Sequence, residues 1–120
     1  MARILVVEDI PANRALATKL LRAAGHEVIV ANDASTGLAA AASQRPDLIL
    51  FDLGLPDMDG WEALRRLRAD AETASLRVVA FTAHAMVGDR ERAMAAGFDG
   101  YMSKPIDFAT FVPNVTSYLR

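Results

Sequence analysis

Residues 48–60 read LILFDLGLPDMDG: four consecutive apolar side chains, then Asp52, then a loop with two further acids, Asp57 and Asp59. Apolar residues on successive positions suit a strand buried on both faces, because its side chains alternate between two covered surfaces. Such a strand delivers Asp52 to its carboxyl end, with Pro56 and Gly60 shaping the turn that follows. A carboxylate placed there is a turn former, a metal ligand or a nucleophile, and each reading predicts a different protein.

Working outward, the same pattern recurs. Residues 4–7 (ILVV), 47–51 (DLILF) and 78–81 (VVAF) read as doubly buried strands, and 27–31 (EVIVA) and 100–102 (GYM) as two weaker ones. Between them lie segments with helical spacing. The first runs over 11–24, with Pro11 in its first turn, Leu16, Leu20, Leu21 and Ala24 on one stripe and Gly25 as its stop. Asp33 caps an Ala-rich helix ending near Ser43, and Asp59 or Gly60 precedes one carrying Trp61, Leu64, Leu67 and Arg68. A fourth spans His84 to Ala96 before Gly97. The fifth starts at Asp107 and buries Phe108, Phe111, Val115 and Leu119, with a kink or a late start forced by Pro113. Five (βα) units predict an α/β fold, a doubly wound parallel sheet with helices on both faces.

Composition narrows the function. The chain has 120 residues, 52% of them hydrophobic, which is enough to bury a core in one domain over 1–120. Its net charge of −2, with no long basic stripe, argues against nucleic acid as a direct partner. There are no cysteines, which removes disulfides, thiolate metal sites and thiol nucleophiles and suits a reducing cytoplasm. The opening MARILVVED is too short an apolar stretch for a signal sequence or a membrane span.

In open α/β sheets ligands bind beyond the carboxyl ends of the strands. The first strand delivers Glu8 and Asp9 there, the third Asp52, the fourth Thr82, and the fifth Lys104 followed by Pro105. Three neighbouring carboxylates repel one another by roughly a few kcal/mol at an effective dielectric near 20, more than one lysine offsets. A hard cation resolves this, and Mg²⁺ suits two carboxylates, a backbone carbonyl and retained waters. Asp9 and Asp52 are the expected direct ligands, Glu8 acts through water, and Gly54 lends its carbonyl. Asp52 can then attack phosphorus to form an acyl phosphate, with Lys104 and the Thr82 hydroxyl taking phosphoryl oxygens that the cation leaves.

These residues resemble those of response-regulator receiver domains of two-component signalling: the pair Glu8-Asp9, Asp52 within DLGLPDMDG, Thr82 in FTA, and Lys104-Pro105. The resemblance covers essentially the whole chain. It implies the strand order 2-1-3-4-5, an Mg²⁺ cofactor, and phosphoryl transfer to Asp52 from a sensor histidine kinase or a histidine phosphotransfer protein. It also implies a cis peptide between Lys104 and Pro105, and Tyr101 as an aromatic switch that follows Thr82 and remodels the face of the fourth helix, fifth strand and fifth helix. The resemblance further implies that the positions of Gly54 and His84 govern access of water to the phosphoryl group, where Gly54 offers no shield and His84 can order a water or block one. Output passes to a downstream protein effector, as in stand-alone single-domain regulators of bacterial cell cycle and polarity. The chain is thus a switch, with no enzymatic activity beyond its own phosphorylation and slow dephosphorylation. Met1 favours a complete chain over a receiver cut from a hybrid kinase or diguanylate cyclase.

Rival readings lack their signatures. A dinucleotide-binding domain needs glycines after the first strand, where this chain has Glu8, Asp9, Ile10 and Pro11. An aspartyl-phosphate phosphatase resembles chains with Asp-x-Asp at that point and a cap insert. A receiver-like module that binds partners without phosphate has no need of four mutually dependent charged and polar strand ends. His84 and His26 have no further His or Cys partners in sequence and make poor metal ligands. Asp57 and Asp59 are expected to solvate the loop and cap the helix near Trp61, and Met86, Met94 and Met102 to pack, with Met86 also suited to a partner surface.

Overall fold

The computed structural model describes residues 2–83 and 88–119. Strands and helices alternate in the order β1 (Arg3–Val7), α1 (Pro11–Ala23), β2 (Glu27–Ala31), α2 (Ala34–Gln44), β3 (Leu48–Asp52), α3 (Gly60–Ala69), β4 (Val78–Thr82), α4 (Asp89–Ala96), β5 (Gly100–Ser103) and α5 (Phe111–Ser117). The strands form one parallel sheet of order β2-β1-β3-β4-β5, as the resemblance implied. The chain winds outward from β1 to β2 and then crosses back to β3, so the order reverses between β1 and β3 and a cleft opens at their carboxyl ends.

Two apolar layers explain the unbroken apolar runs. Ile4, Val6, Leu48, Leu50, Val79 and Phe81 meet Ala17 and Leu21 of α1 and Phe111 and Val115 of α5 on one side. Leu5, Val7, Ile49, Phe51, Val78 and Ala80 meet Ala34 and Ala41 of α2, Ala63, Leu64 and Leu67 of α3 and Ala93 of α4 on the other. Each large side chain so covered contributes about 1.5–3 kcal/mol, and strands with both faces covered hold their carboxyl ends rigidly.

Local chemistry sets the helix ends. Pro11 occupies the start of α1, and Gly25 with φ +93° turns the chain after it. The buried residues of α1 are Ala17 and Leu21; Leu16 and Leu20 are half-buried and Ala24 is exposed, because the helix ends at Ala23 and Ala24 already belongs to the turn. Asp33 accepts the Thr36 amide at 2.8 Å and Asp59 the Glu62 amide at 2.8 Å, so both expected caps form. Gly60 is the first residue of α3, and its amide donates to the Leu53 carbonyl at 3.1 Å. A Cβ there would lie 2.8 Å from the Leu53 Cα, a close approach that only glycine permits.

Three expectations need correction. The helix expected to run unbroken to Ala96 does not pass through Gly88, whose φ of +90° is left-handed, and α4 starts at Asp89; the start expected at His84, and Met86, lie outside the described residues. The last helix starts at Phe111 and not at Asp107, which caps a preceding turn by accepting the Ala109 amide at 2.8 Å. This late start places Pro113 in the first helical turn, where its missing donor costs nothing, and leaves Phe108 70% exposed instead of buried. Met102 packs in the core, but Met94 is 46% exposed, because α4 turns only Ala93 fully inward.

Candidate functional site

Strands β1, β3, β4 and β5 end on one edge and bring the expected residues together there. Carboxylate oxygens of Glu8, Asp9 and Asp52 lie within 4.8 Å of one another. Glu8 is fully buried and Asp52 nearly so at 6% exposure, while Asp9 is half-buried. The Lys104 ammonium pairs with Glu8 Oε1, lies 3.3 Å from Asp52 Oδ2 and sits 5.2 Å from the centroid of the Phe81 ring. The peptide between Lys104 and Pro105 is cis. Thr82, buried at the end of β4, accepts the Lys104 amide at 2.8 Å through its carbonyl.

The backbone around Glu8 is tied from three sides. Its amide donates to the Ala31 carbonyl at 3.0 Å, its carbonyl accepts from Arg14 Nη1 at 2.9 Å, and its Oε2 accepts the Ile10 amide at 3.1 Å. Burial pushes the Glu8 carboxyl above its usual range, opposed by the hydrogen bond from Lys104 and that from Ile10. Asp52 is oriented from two directions: its Oδ1 accepts the Gly54 amide at 2.9 Å while Oδ2 faces Lys104. Gly54 therefore touches Asp52 through its amide.

Three carboxylates against one ammonium leave an excess of negative charge at an edge built from oxygen donors. That donor set fits Mg²⁺. Both oxygens of Glu8 are engaged, one by Lys104 and one by Ile10, and both of Asp52, one by Gly54 and one by Lys104. Asp9 is the most exposed of the three.

Tyr101 lies on β5 and is buried at 7% exposure. Its phenol is pushed up chiefly by burial, with the Asp89 carboxylate adding to it and Arg90 opposing. The Arg90 guanidinium stands 6.0 Å from the ring centroid, and the Tyr101 carbonyl accepts long hydrogen bonds of 3.4 Å from both Arg90 of α4 and Tyr118 beyond α5.

Two residues escaped the reading of the sequence. Arg14 stands one helical turn after Ile10 with no motif around it, and only its bond to Glu8 reveals a role. Asp57 was expected to solvate the loop or cap the helix near Trp61; Asp59 alone caps that helix. Asp57 instead reaches the start of α2, where Oδ1 accepts the Ala34 amide at 2.9 Å and Oδ2 accepts the Ser35 amide at 3.0 Å and hydroxyl at 3.1 Å. Those bonds, the Ala34 amide first, hold its carboxyl below the usual range.

Comparison with known proteins gives the family and the fold. Residues 4–116 match the family model described as the response regulator receiver domain. The chain is 40% identical to the polar-differentiation response regulator DivK of Brucella anthropi over 116 residues, 97% of this chain and 94% of that one. Its fold superposes on the chemotaxis response regulator CheY4 of Vibrio cholerae with a TM-score of 0.91 at 28% identity, over 99% of both chains. The receiver domain of the sensor histidine kinase PA1611 of Pseudomonas aeruginosa, solved with a magnesium ion in its active-site cleft, superposes with a TM-score of 0.86 at 35% identity, over 98% of this chain and 96% of that one.

Proposed function

This chain belongs to the response regulator receiver family of two-component signalling, and we propose that it is a phosphorylation-driven switch, one receiver domain over 1–120 whose phospho-acceptor is Asp52. The observation that carries this reading is the convergence of Glu8, Asp9, Asp52 and Lys104 from three strands on one edge. An Asp52 oxygen forms the new bond to phosphorus as the bond from phosphorus to a donor histidine nitrogen breaks, and the imidazole leaves with that electron pair. Mg²⁺ held by Asp9 and Asp52, with the Gly54 carbonyl and with Glu8 through water, would supply charge neutralisation. The chain's own residues do the positioning. The Gly54 amide and Lys104 fix the carboxylate, Lys104 and the Thr82 hydroxyl receive phosphoryl oxygens, and the buried walls limit water.

The donor is a sensor histidine kinase or a histidine phosphotransfer protein, and the output is altered contact with a protein effector in the cytoplasm. Movement of Thr82 toward the phosphoryl group reaches Tyr101 on the neighbouring strand. Tyr101 is buried in this structure, and its carbonyl contacts both Arg90 and Tyr118, so a shift of β5 is felt on α4 and α5 together. Turning a 1:99 balance into 99:1 requires a bias of about 5.5 kcal/mol.

Incubation with acetyl phosphate, with and without Mg²⁺, tests the assignment. Wild type is expected to be labelled only with Mg²⁺ and Asp52→Asn not at all; labelling of Asp52→Asn at the wild-type rate would refute it.

A further inference from the structure

We propose that Asp57 is a positioning residue for phosphoryl transfer: by fastening the 53–59 loop to the first turn of α2, it sets Asp52 and Gly54 in register with Glu8 and Asp9. The inference rests on the reading of Asp52 as phospho-acceptor. The loop is closed on itself by the Leu53 carbonyl and the Gly60 amide, 3.1 Å apart, and carries Gly54 on Asp52 at its near end. Such a closed loop can still pivot about its neck. Asp57, at its far end, stops that movement with three hydrogen bonds across 22–23 residues of sequence, to Ala34 and Ser35.

The anchor point matters. Ala34 and Ser35 follow β2 after two residues, and the carbonyl of Ala31, the last residue of β2, accepts the Glu8 amide at 3.0 Å. Both halves of the acidic edge are thus referenced to one short junction, residues 31–35. Glu8 and Asp9 are referenced through Ala31, and Asp52 and Gly54 through Asp57. Helix α2 already has a cap of its own in Asp33, which takes the Thr36 amide. Asp57 takes two earlier amides, and what it adds beyond capping is the link between loop and junction.

Arg68 supplies the control, because its guanidinium ties α3 to the carbonyls of Ala74, Leu76 and Gly97 and to Asp99, none of them part of the acidic edge or of the 31–35 junction. Full-length wild type, Asp57→Ala, Asp57→Asn and Arg68→Ala are compared by calorimetric Mg²⁺ titration, by labelling rate with acetyl phosphate at saturating Mg²⁺, and by thermal unfolding. Asp57→Ala is expected to weaken Mg²⁺ binding about tenfold, the size usual for loss of a group that orients metal ligands, and to slow labelling. Asp57→Asn, which keeps one acceptor oxygen, is expected to fall between and serves alone if the alanine variant does not fold. Arg68→Ala is expected to lower the melting temperature while leaving Mg²⁺ affinity and labelling unchanged. Coincidence of the Asp57 variants with Arg68→Ala on both site readouts overturns the proposal and leaves the acceptor assignment intact. Equal labelling of Asp52→Asn and wild type overturns both.

Discussion

The Lys104 ammonium is paired with Glu8, a fully buried carboxylate at the end of a different strand, and stands 3.3 Å from Asp52 Oδ2. The lysine thus offsets part of the edge's negative charge from within. A phosphoryl oxygen arriving at Asp52 must compete with Glu8 for it.

Removing that lysine exposes what it offsets. Lys104→Met leaves Glu8 buried without its cation, a loss of about 3–5 kcal/mol at neutral pH. The Glu8 carboxyl is already pushed up by burial, and without Lys104 it rises further. A raised acid is penalised above its folded pKa and relieved below it, so the cost shrinks as pH falls. Urea unfolding of both proteins at about pH 7 and about pH 5 measures the difference.

Asp57 has the opposite sign. Its carboxyl is held below the usual aspartate value of 3.8 by the Ala34 and Ser35 amides, so its contribution is complete above that value and is lost as pH falls through the folded pKa. The gap in melting temperature between wild type and Asp57→Asn is expected to stay constant from about pH 7 to pH 5 and to narrow below pH 4.

Arg68 gathers four acceptors: the carbonyls of Ala74, Leu76 and Gly97 and the carboxylate of Asp99, at 2.6–3.1 Å. It joins the end of α3 to the ends of α4 and of the 70–77 segment. Arg68→Ala is expected to cost about 2–3 kcal/mol in chemical unfolding. Arg68→Lys is expected to recover little, because an ammonium cannot reproduce the planar fork.

The late start of α5 separates two phenylalanines three residues apart. Phe111 is 2% exposed and Phe108 70%. Phe111→Ala is expected to cost about 3–5 kcal/mol, whereas Phe108→Ser stays within about 0.5 kcal/mol. Equal effects would place Phe108 in the core after all.

Much of the architecture was legible because it is written in local patterns. A strand buried on both faces has to be apolar at every position, and residues 48–51 and 78–81 are. Caps such as Asp33 and Asp59 act three residues ahead of themselves. The start of α5 was harder to place, because Phe108 fits a helical stripe and nothing local says that the stripe begins one turn later. Gly88 gave an ambiguous signal, since glycine within a helical pattern is tolerated or terminal depending on a dihedral angle that composition does not carry.

The sequence by itself determined the order of strands and helices, the residues that each strand presents at its carboxyl end, and hence the chemistry available there. Only the tertiary structure decided which groups meet: Lys104 with Glu8, Arg14 with the Glu8 carbonyl, Asp57 with the start of α2. The reason is physical. Periodicity and capping are set by neighbours a few residues apart along the chain, whereas an ion pair or a side chain bound to a distant amide exists only once packing has brought remote segments within about 3 Å.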